Sequence, residues 1–421
     1  MDSQPPNPPS ATAHSNNQRE AASTVLTTLI TNPNTTTSTN SQPQAPTQKS
    51  PTTTSYLHSL VTQDSLENFE NAWHLGNYVL DRHTGAKTFE PMSIYVRLGM
   101  HFLYYGAGQE TILHWKRSQA LLKSQSEALG KNYDSPASKK HIRPFIESFG
   151  LTGSLTELKQ PDPDAYATFN EFFARELRAD ARPVAELDDG RVVSSLADCR
   201  FMVFPTVDLA TRFWVKGFGF TVGRLLGEED DGYHGEDGGQ LDKKKEKNGK
   251  WAGHFDGGAI AIARLAPQDY HRWHSPIDGV IESITEIPGT YYTVNPQAIN
   301  EAGALNVFCE NRRSVMIVRR SIGSSQSPSP VVAIVAVGAM LVGSIRYNPG
   351  VVAGVEIKRG QCLGAFRYGG STVIALFPKG EVVFDRDLVA NSTEKCCETL
   401  VRVGWKIGRG PAEDKQEEKK K

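Results

Sequence analysis

The sequence predicts an α+β fold, in which a helical N-terminal part is followed by a mainly antiparallel β domain. Two observations lead to this prediction. From about residue 55 to residue 183, apolar residues recur three and four positions apart, as on the buried face of a helix. Beyond Pro183, short runs of β-branched and apolar residues alternate with glycine and proline, which is typical of strands joined by turns.

Composition divides the chain into four parts. Residues 1–54 consist mostly of Ser, Thr, Asn, Gln and Pro. Such a low-complexity segment cannot bury enough apolar surface to offset its ordering entropy, so it is predicted to be disordered. Residues 55–183 form the helical region, residues 184–408 the β-rich domain and residues 409–421 a charged tail.

The helical region contains one clear start signal. Thr168 and Glu171 match a capping box, which predicts a helix through Phe172 to Arg178 that ends at Ala181-Arg182-Pro183. Earlier in the region, the segment 92–106 carries apolar and aromatic residues at helical spacing. It is either a buried core helix, which we favour, or an amphipathic surface that lies against a bilayer.

The β-rich domain contains a series of runs with strand character. They occupy 190–205, 213–222, 258–265, 277–287, 313–320, 331–346, 351–357, 371–377, 381–384 and 399–406. Polar insertions at 228–250 and 321–330 interrupt the series and are predicted to be solvated loops.

Composition also excludes several classes of protein. Lys and Arg number 46 against 47 Asp and Glu, so the net charge of −1 predicts no nucleic-acid partner. No run approaches the roughly 18 apolar residues of a membrane span, and no secretory signal is evident. Five cysteines without CxxC spacing indicate a reducing compartment. We expect an intracellular protein, cytoplasmic or peripheral to a membrane; Arg19 and Lys49, the only basic residues we count before residue 55, give little support to a mitochondrial address.

The stretch 365–377 is the first chemical candidate, because Gly369-Gly370-Ser371-Thr372 separates two apolar runs. The pattern alone favours a β-hairpin with a Gly-Gly turn. A second interpretation is chemical. Since glycine has no Cβ, the Gly370–Ser371 peptide can be held in a strained turn in which the serine hydroxyl attacks the preceding carbonyl. That attack needs a base.

Two histidines are candidates for the base. His271 and His274 lie in the segment 265–279 between two predicted strands, in a loop or short helical turn. At i and i+3 they could share a helical face and bind a metal, but no third ligand of a known metal pattern is evident, so no metal is predicted. A surface turn with incidental histidines and a histidine base remain as alternatives.

An aspartate completes the set of candidates. Asp198 stands in an apolar, strand-like run, where an unpaired carboxylate is expensive to bury. Such a residue pairs with a nearby arginine such as Arg200, caps a turn, or orients a histidine as the acid of a Ser-His-Asp triad does. The residues alone leave these alternatives open.

Taken together, these motifs resemble the phosphatidylserine decarboxylase family of pyruvoyl-dependent enzymes. The resemblance covers about Tyr166 to Phe384 in the family's order. The matching segments are Phe169–Phe173, Ala181–Pro183, Ala197-Asp198, Val215–Phe218, Leu225–Gly227, Leu265–Pro276, Val335–Ile345 and Gly369–Thr372.

The resemblance implies a self-cleaving proenzyme. Ser371 would attack the carbonyl of Gly370, with His274 as the base and Asp198 holding its tautomer. Elimination would then split the chain into 1–370 and 371–421, leaving residue 371 as an N-terminal pyruvoyl group. The ketone of this cofactor takes up the amine of phosphatidylserine and accepts electrons as CO2 leaves. His271 would contact the substrate or supply the proton that completes phosphatidylethanolamine.

The chain departs from the family pattern in two places. Many members have leucine at the position of Gly369, and Leu196-Ala197-Asp198-Cys199 stands where Pro-x-Asp-Gly is common. Asp198 is preferred to Asp269 or Asp278 as the triad acid, because it occupies the matching place ahead of the Val-Lys-Gly motif.

The leading hypothesis is therefore decarboxylation of phosphatidylserine at a membrane surface, by a catalytic β domain whose two self-cleaved subunits stay associated. Whether the chain forms a homo-oligomer is left open. A decarboxylase of a soluble, aromatic amino acid is the alternative among enzymes, and a non-catalytic lipid-binding relative is the alternative outside them. A serine hydrolase fits poorly, because Ser371 lacks a Gly-x-Ser-x-Gly elbow.

Overall fold

A computed structural model describes residues 76–91, 124, 127–128, 130–213, 220–229, 250–291, 307–322, 330–338, 344–367, 369 and 371–411. The predicted disordered segment 1–54, the apolar segment 92–106 and residues 412–421 of the charged tail lie outside this set. The described residues from 78 to 90 and from 124 onwards belong to one compact unit.

Strands dominate the described part of the chain. They are β1 (Gly76–Asp81), β2 (Lys87–Pro91), β3 (Val192–Ser194), β4 (Cys199–Phe204), β5 (Ala259–Leu265), β6 (Arg272–His274), β7 (Gly279–Ile287), β8 (Arg313–Arg320), β9 (Val331–Gly338), β10 (Ile345–Tyr347), β11 (Glu356–Ile357), β12 (Cys362–Phe366), β13 (Ser371–Phe377), β14 (Val383–Phe384), β15 (Glu398–Val401) and β16 (Lys406–Arg409).

Ten of these strands form one sheet, in the order β11-β7-β8-β9-β13-β5-β4-β15-β1-β2. Neighbours from β11 to β15 are antiparallel, and β1 lies parallel to β15. β13 occupies the middle of the sheet, where Ser371 pairs with Leu265 of β5 on one side and with Gly338 of β9 on the other. Every residue of β9 and β13 is buried, as expected for apolar strands covered on both faces.

Two smaller antiparallel sheets complete the β structure, in the orders β10-β12-β6 and β14-β16-β3. Trp273 of β6 and Leu363 and Phe366 of β12 share one hydrophobic core with residues of the ten-stranded sheet such as Ala263 and Val373. This shared core fixes the smaller sheets against the large one, because burying each large apolar side chain contributes about 1.5–3 kcal/mol.

The helices for which both ends are described are short. They are α1 (Ile142–Ser148), α2 (Phe169–Phe173), α3 (Val207–Phe213), α4 (Val222–Leu226), α5 (Val307–Glu310) and α6 (Arg386–Thr393), with 3-10 helices at Pro136–His141, Leu151–Glu157, Pro163–Ala165 and Ala252–Phe255. None of the helices within this part of the chain is long and apolar enough to cross a membrane. A second, aromatic core joins α1 to α2 through Phe145, Phe169 and Phe172.

The structure confirms the first of the two hydrogen bonds of the capping box predicted at the start of α2. The Thr168 hydroxyl accepts a hydrogen bond from the N–H of Glu171 at 3.1 Å. The helix is nevertheless shorter than predicted, because Ala174 leaves the helical conformation after Phe173. The rest of the predicted helix, through Arg178, is irregular.

The predicted α+β class is confirmed, and the predicted runs 313–320 and 371–377 coincide with β8 and β13. Other boundaries differ. The runs 331–346 and 399–406 each contain parts of two strands, because within each run the chain passes from one sheet to another. The run 213–222 contains no described strand residue, since α3 ends at Phe213 and α4 begins at Val222.

The region predicted to be helical also contains strands. β1 and β2 lie within 55–183 and extend the large sheet at its edge, next to β15. The division into parts at residues 55, 184 and 409 stays a prediction.

Candidate active site

The Gly-Gly-Ser-Thr motif joins two sheets. β12 ends at Phe366 and pairs with β6 and β10, whereas β13 begins at Ser371 and pairs with β5 and β9. The hairpin interpretation of this stretch is therefore wrong, because its two strands do not pair with each other. Gly369 has a φ of 148°, a conformation that residues with a Cβ rarely adopt. The junction thus depends on glycine and is not fixed by a ladder of hairpin hydrogen bonds.

Ser371 lies at the start of β13 and is only 1% exposed. Its Oγ has no hydrogen-bond partner among the described residues, and the same is true of Oγ1 of Thr372. A buried hydroxyl without a partner costs about 1–3 kcal/mol. Two such hydroxyls side by side indicate groups retained for a reason other than stability.

His271 is the histidine that lies beside this junction. It is fully buried just ahead of β6, and its carbonyl accepts a hydrogen bond from the N–H of Phe366 at 2.9 Å. The backbone of Gly369 is among the groups that act on its ring. The ring packs against Phe173 of α2, with ring centroids 4.0 Å apart. The junction glycine and α2 therefore lie against this imidazole, and the last residue of β12 is bonded to the backbone of His271.

The hydrogen bonds of His271 fix which nitrogen carries the proton. Nδ1 lies 3.0 Å from the backbone carbonyl oxygen of Asp269. Because a carbonyl only accepts, Nδ1 is the protonated nitrogen and Nε2 carries the lone pair. Nε2 is buried and has no hydrogen-bond partner in the described part of the chain. The arrangement leaves one basic nitrogen unused.

The surroundings of His271 also keep it neutral. Burial is the main cause that lowers its pKa, to about 3, and the positive charges of Arg175 and Arg200 act in the same direction. The backbone groups of Asp269 and Gly369 favour the protonated form and oppose the shift without reversing it. The imidazole is therefore unprotonated at neutral pH, and its Nε2 presents a lone pair.

The side chain of Asp269 belongs to a network of ion pairs. The Asp269 carboxylate accepts a hydrogen bond from the N–H of Ala266 at 2.7 Å and forms an ion pair with Arg200 of β4. Arg200 Nε in turn lies 3.0 Å from a carboxylate oxygen of Glu90 in β2. This network fixes the turn that carries His271, and it ties that turn to the edge strands β1 and β2.

His274 has both of its ring nitrogens engaged elsewhere. Nδ1 donates to the carbonyl of Gly360 at 2.7 Å, and Nε2 accepts from the hydroxyl of Tyr270 at 3.1 Å. In the strand register, His274 lies opposite Cys362 at the start of β12, whereas Arg272 lies opposite Ala365 near its end. His274 thus lies beside the start of β12, whereas the glycine junction follows the end of that strand.

The expected pairing of Asp198 with His274 is not formed. Asp198 lies in the bend before β4 and pairs with Arg182, whose Nη2 approaches a carboxylate oxygen to 2.6 Å. The carboxylate also accepts from the N–H of Val403 at 2.8 Å. Of the four predicted site residues, Ser371 directly follows the glycine junction and the ring of His271 is influenced by the backbone of Gly369, whereas the hydrogen bonds of His274 and Asp198 go to other groups.

The sequence interpretation placed His271 and His274 in a loop or helical turn and missed the short strand β6. In extended backbone, side chains alternate, so residues three apart point to opposite sides, whereas in a helix they share a face. The run Tyr-His-Arg-Trp-His, rich in aromatic residues, was the available signal for a strand. Asp269 ranks behind Asp198 as the triad acid on sequence alone, and no local pattern marks Arg175 or Glu90 as part of this site.

The fold and site define a mainly antiparallel α+β protein with a buried serine and a buried, neutral histidine at a glycine junction between sheets. A sequence profile of the family described as phosphatidylserine decarboxylase matches residues 169–409. This match covers more than half of the chain, from α2 to β16. The chain belongs to the phosphatidylserine decarboxylase family.

Individual relatives agree with the family match. The chain is 41% identical to phosphatidylserine decarboxylase proenzyme 3 of Schizosaccharomyces pombe, over 79% of this chain and 31% of the relative. It is 39% identical to proenzyme 2 of Oryza sativa subsp. japonica, over 78% of this chain and 48% of the relative. The phosphatidylserine decarboxylase proenzyme of Fusobacterium nucleatum is 32% identical over 73% of this chain and 90% of its own length. The aligned region thus spans less than half of the two eukaryotic relatives and most of the bacterial one.

Proposed function

We propose that this chain is a self-cleaving phosphatidylserine decarboxylase, which converts phosphatidylserine to phosphatidylethanolamine. One observation carries the proposal. At a single glycine junction, a buried serine hydroxyl without a partner accompanies a buried, neutral histidine whose Nε2 is also without a partner among the described residues. The names of the relatives, each a decarboxylase proenzyme, support the same conclusion.

Self-cleavage begins at Ser371. Its Oγ bonds to the carbonyl carbon of Gly370 while the hydroxyl proton passes to a base, and the peptide C–N bond breaks to leave an ester and a free amine on residue 371. Loss of the α-proton of residue 371 then expels the Gly370 carboxylate, which separates 1–370 from 371–421. Water finally replaces the nitrogen of the unsaturated residue, so that ammonia leaves and a pyruvoyl group remains.

We assign the base for the first step to His271, and no longer to His274. The carbonyl of Asp269 holds the proton on Nδ1 of His271, so Nε2 can accept the serine proton. His274 would have to give up its hydrogen bond with Tyr270 before its Nε2 could do the same. For Asp198 we retain a supporting role, in which its ion pair with Arg182 ties the bend before β4 to the segment that follows α2.

The residues at this position fit the pyruvoyl group that family membership implies. The Oγ of Ser371 is buried and makes no hydrogen bond among the described residues that would be lost when Oγ leaves with the Gly370 carboxylate; the ketone would form at Cα, and the former Cβ would become a methyl group. When formed, the group supplies the electron sink that allows CO2 to leave. The Nε2 of His271 could then relay a proton to the product without the ring staying protonated.

The two chains made by cleavage should remain associated. The smaller chain would contribute β13, which lies between β5 and β9 of the larger chain, together with β14, β15 and β16. Cutting before Ser371 removes no strand pairing, because β12 and β13 belong to different sheets. Separation would instead require all of the ladder hydrogen bonds of β13 to break.

The experiment that tests the proposal combines mass and turnover. Intact mass measurement of the purified protein should give two chains that divide between Gly370 and Ser371. The smaller chain should resist Edman sequencing until it is treated by reductive amination, as expected for a pyruvoyl terminus. The preparation should then release CO2 from phosphatidylserine in vesicles faster than from free serine or free aromatic amino acids.

A matched variant makes the result specific. Ser371→Ala removes the nucleophile and nothing larger, and it should remain a single chain without activity. A wild-type chain of full mass would overturn the self-cleavage proposal. Normal cleavage with turnover of a free amino acid, and none with vesicles, would instead replace the lipid substrate by a soluble one.

A further inference from the structure

The three-stranded sheet β10-β12-β6 carries a row of arginines on one face. Ala365 of β12 lies directly opposite Arg346 of β10 on one side and opposite Arg272 of β6 on the other. Residues in register on neighbouring antiparallel strands project to the same face of a sheet, so these three side chains share one face. Two interstrand spacings separate the two arginine backbones by about 10 Å, and the small Ala365 lies between them.

The hydrophobic core covers the opposite face of this sheet. Ile345, Phe366 and Trp273 are buried in the core that the sheet shares with the ten-stranded sheet. Each of them is the chain neighbour of one member of the arginine row, and neighbouring side chains on a strand point to opposite faces. The arginine row therefore lies on the face that this core leaves uncovered.

Arg367 extends the row toward the glycine junction. It follows the last residue of β12, and its N–H lies 3.4 Å from the carbonyl oxygen of Ser344, just ahead of β10. Alternation from Ala365 places its side chain on the face of the arginine row. The chain then passes through Gly369 to Ser371, the first residue of β13. The arginine-bearing face thus adjoins the proposed cleavage site.

The ion pairs on this face leave positive charge in excess. Arg367 pairs with Asp134, whereas Arg272 and Lys159 share one carboxylate, that of Glu176. The Lys159 ammonium lies 2.8 Å and the Arg272 guanidinium 3.2 Å from that carboxylate. Three cations therefore meet two carboxylates.

Arg346 adds a further positive charge without a counterion. It is exposed and forms no hydrogen bond or ion pair with any described residue. With Arg346, the face carries an excess of two positive charges, in a chain whose formal net charge is −1. A locally positive face on a chain that is negative as a whole is complementary to an anionic partner.

We propose that this arginine-bearing face binds the phosphate groups of an anionic bilayer and holds the protein on the membrane that presents its substrate. The inference rests on the proposed function, because phosphatidylserine is an anionic lipid of a bilayer. A guanidinium suits this partner, since it stays charged and donates two N–H groups to one phosphate. Several basic groups within a Debye length of an anionic bilayer attract it together.

A bilayer fits this face better than an acidic protein does. The buried centre of a protein–protein interface is usually apolar and aromatic. None of the exposed large apolar residues in the described part of the chain lies on β10, β12 or β6. The face also adjoins the position at which a phosphatidylserine headgroup would react.

Co-sedimentation of the purified full chain with vesicles tests the proposal. The vesicles contain phosphatidylcholine alone, phosphatidylcholine mixed with phosphatidylserine, or phosphatidylcholine mixed with the same fraction of phosphatidylglycerol. We expect binding to both anionic mixtures and little to phosphatidylcholine alone. Binding should weaken as salt is raised, because the Debye length falls from about 10 Å at 0.1 M to about 3 Å at 1 M.

Substitution of Arg346 measures the contribution of the face. A basic residue near an anionic surface contributes about fivefold in affinity, so Arg346→Ser should raise the Kd for anionic vesicles by about fivefold. Arg346→Glu reverses the charge and should raise the Kd by about 25-fold. Arg346→Lys keeps the charge and should retain most of the affinity. Because Arg346 is exposed and unpaired among the described residues, each variant should unfold in urea at the wild-type midpoint.

Arg386 supplies the matched control. It is also exposed, without a hydrogen bond or ion pair to any described residue, but it lies on α6, which packs on β4 and β15. Arg386→Ser removes the same charge from the chain and should leave vesicle binding unchanged. The pair of variants therefore separates the effect of the face from that of net charge.

Unchanged affinity in Arg346→Glu, or equal losses in Arg346→Ser and Arg386→Ser, would overturn the inference. Binding to phosphatidylserine vesicles but not to phosphatidylglycerol vesicles would also overturn it, because it would indicate recognition of the serine headgroup and not of phosphate. Binding to polyglutamate but not to anionic vesicles would assign the face to an acidic protein. Failure of the proposed function looks different: vesicle binding that depends on Arg346, without release of CO2, would remove the decarboxylase and leave the inference in place.

Discussion

The surroundings of His271 and His274 differ although the two residues are three positions apart. Both donate Nδ1–H to a backbone carbonyl, His271 to Asp269 and His274 to Gly360. They differ at Nε2. In His274 this nitrogen accepts from the hydroxyl of Tyr270, whereas in His271 it has no partner among the described residues. Both histidines therefore carry the proton on Nδ1, but only in His271 does Nε2 keep a lone pair without a hydrogen-bond partner among the described residues.

The difference arises from β6. Because the short strand alternates its side chains, His271 points toward the junction and α2, while His274 lies opposite Cys362, farther along the ladder. A helical turn would have placed both rings on one face and given them a common environment. Chemistry at this site thus follows from backbone geometry as much as from residue identity.

The largest difference between the two histidines is expected when each is replaced in turn by glutamine. His271→Gln removes the proposed base and should slow the appearance of the 371–421 fragment by about 10²- to 10⁴-fold, the usual contribution of a general base. His274→Gln should leave most of the rate, because the nitrogen it replaces is already occupied by Tyr270. Time courses of cleavage from cell-free synthesis measure both variants. Loss of cleavage in His274→Gln alone would reverse the assignment of the base.

The depressed pKa of His271 predicts a dependence of stability on pH. Its pKa is about 3 in the folded chain, mainly because of burial, and an unfolded histidine titrates near pH 6.5. Between these values the unfolded state binds one more proton, so folding stability falls as the pH falls. From pH 6.5 to pH 5 this residue should account for a loss of about 2 kcal/mol.

Urea unfolding at pH 5 and pH 7 isolates this contribution. The Ser371→Ala chain is the reference because it stays uncleaved, and the double variant with His271→Gln should lose stability less steeply on acidification. Between pH 7 and pH 8 the two chains should show the same slope, since His271 is neutral in both states there. Equal slopes over the acid range would mean that His271 is solvated in the proenzyme.

The sequence was informative where a local pattern determines the structure. The apolar runs of β8, β9 and β13 were visible as strands, and the Thr168–Glu171 cap marked the start of α2. The active-site motifs were also visible, because Ser371 and the two histidines stand out by residue type. What the sequence could not show is which strands pair. Gly369-Gly370 is an ordinary hairpin signal, and only the separate partners of β12 and β13 show that the chain changes sheets.

The role of individual charges was harder to predict for the same reason. Asp198 pairs with Arg182, sixteen positions away, and Arg200 pairs with Asp269 and Glu90, which are distant in sequence. Several arginines and carboxylates compete as partners for each of these groups, and the fold selects among them. Only the tertiary structure, therefore, identifies Asp269 as the residue whose carbonyl orients a histidine.

A third prediction concerns the two hydrogen bonds made by the ring of His274. His274→Leu leaves the carbonyl of Gly360 and the hydroxyl of Tyr270 without their partner, so it should lower the free energy of unfolding by about 1–2 kcal/mol. Tyr270→Phe removes only the second contact and should cost less. Both should be measured by urea unfolding in the uncleaved Ser371→Ala background. Neither change is expected to alter the rate of cleavage when Ser371 is present, and a large change in rate would show that the two histidines are coupled.

The smallest expected effect is on a thiol that reports on His274. Burial alone would raise the pKa of Cys362, but its interaction with His274, and after it the positive charge of Arg272, lower it to about 7. Its alkylation by iodoacetamide should therefore rise through a midpoint near pH 7, whereas the buried Cys309, with a pKa of about 11, should react far more slowly. Peptide mass spectrometry separates the two sites. In His274→Gln the thiolate fraction of Cys362 at pH 7 should fall about fivefold, because a pKa one unit higher leaves roughly a tenth of the thiol ionised. An unchanged alkylation rate would mean that Arg272 alone maintains the thiolate, and that His274 serves its two hydrogen bonds and nothing more.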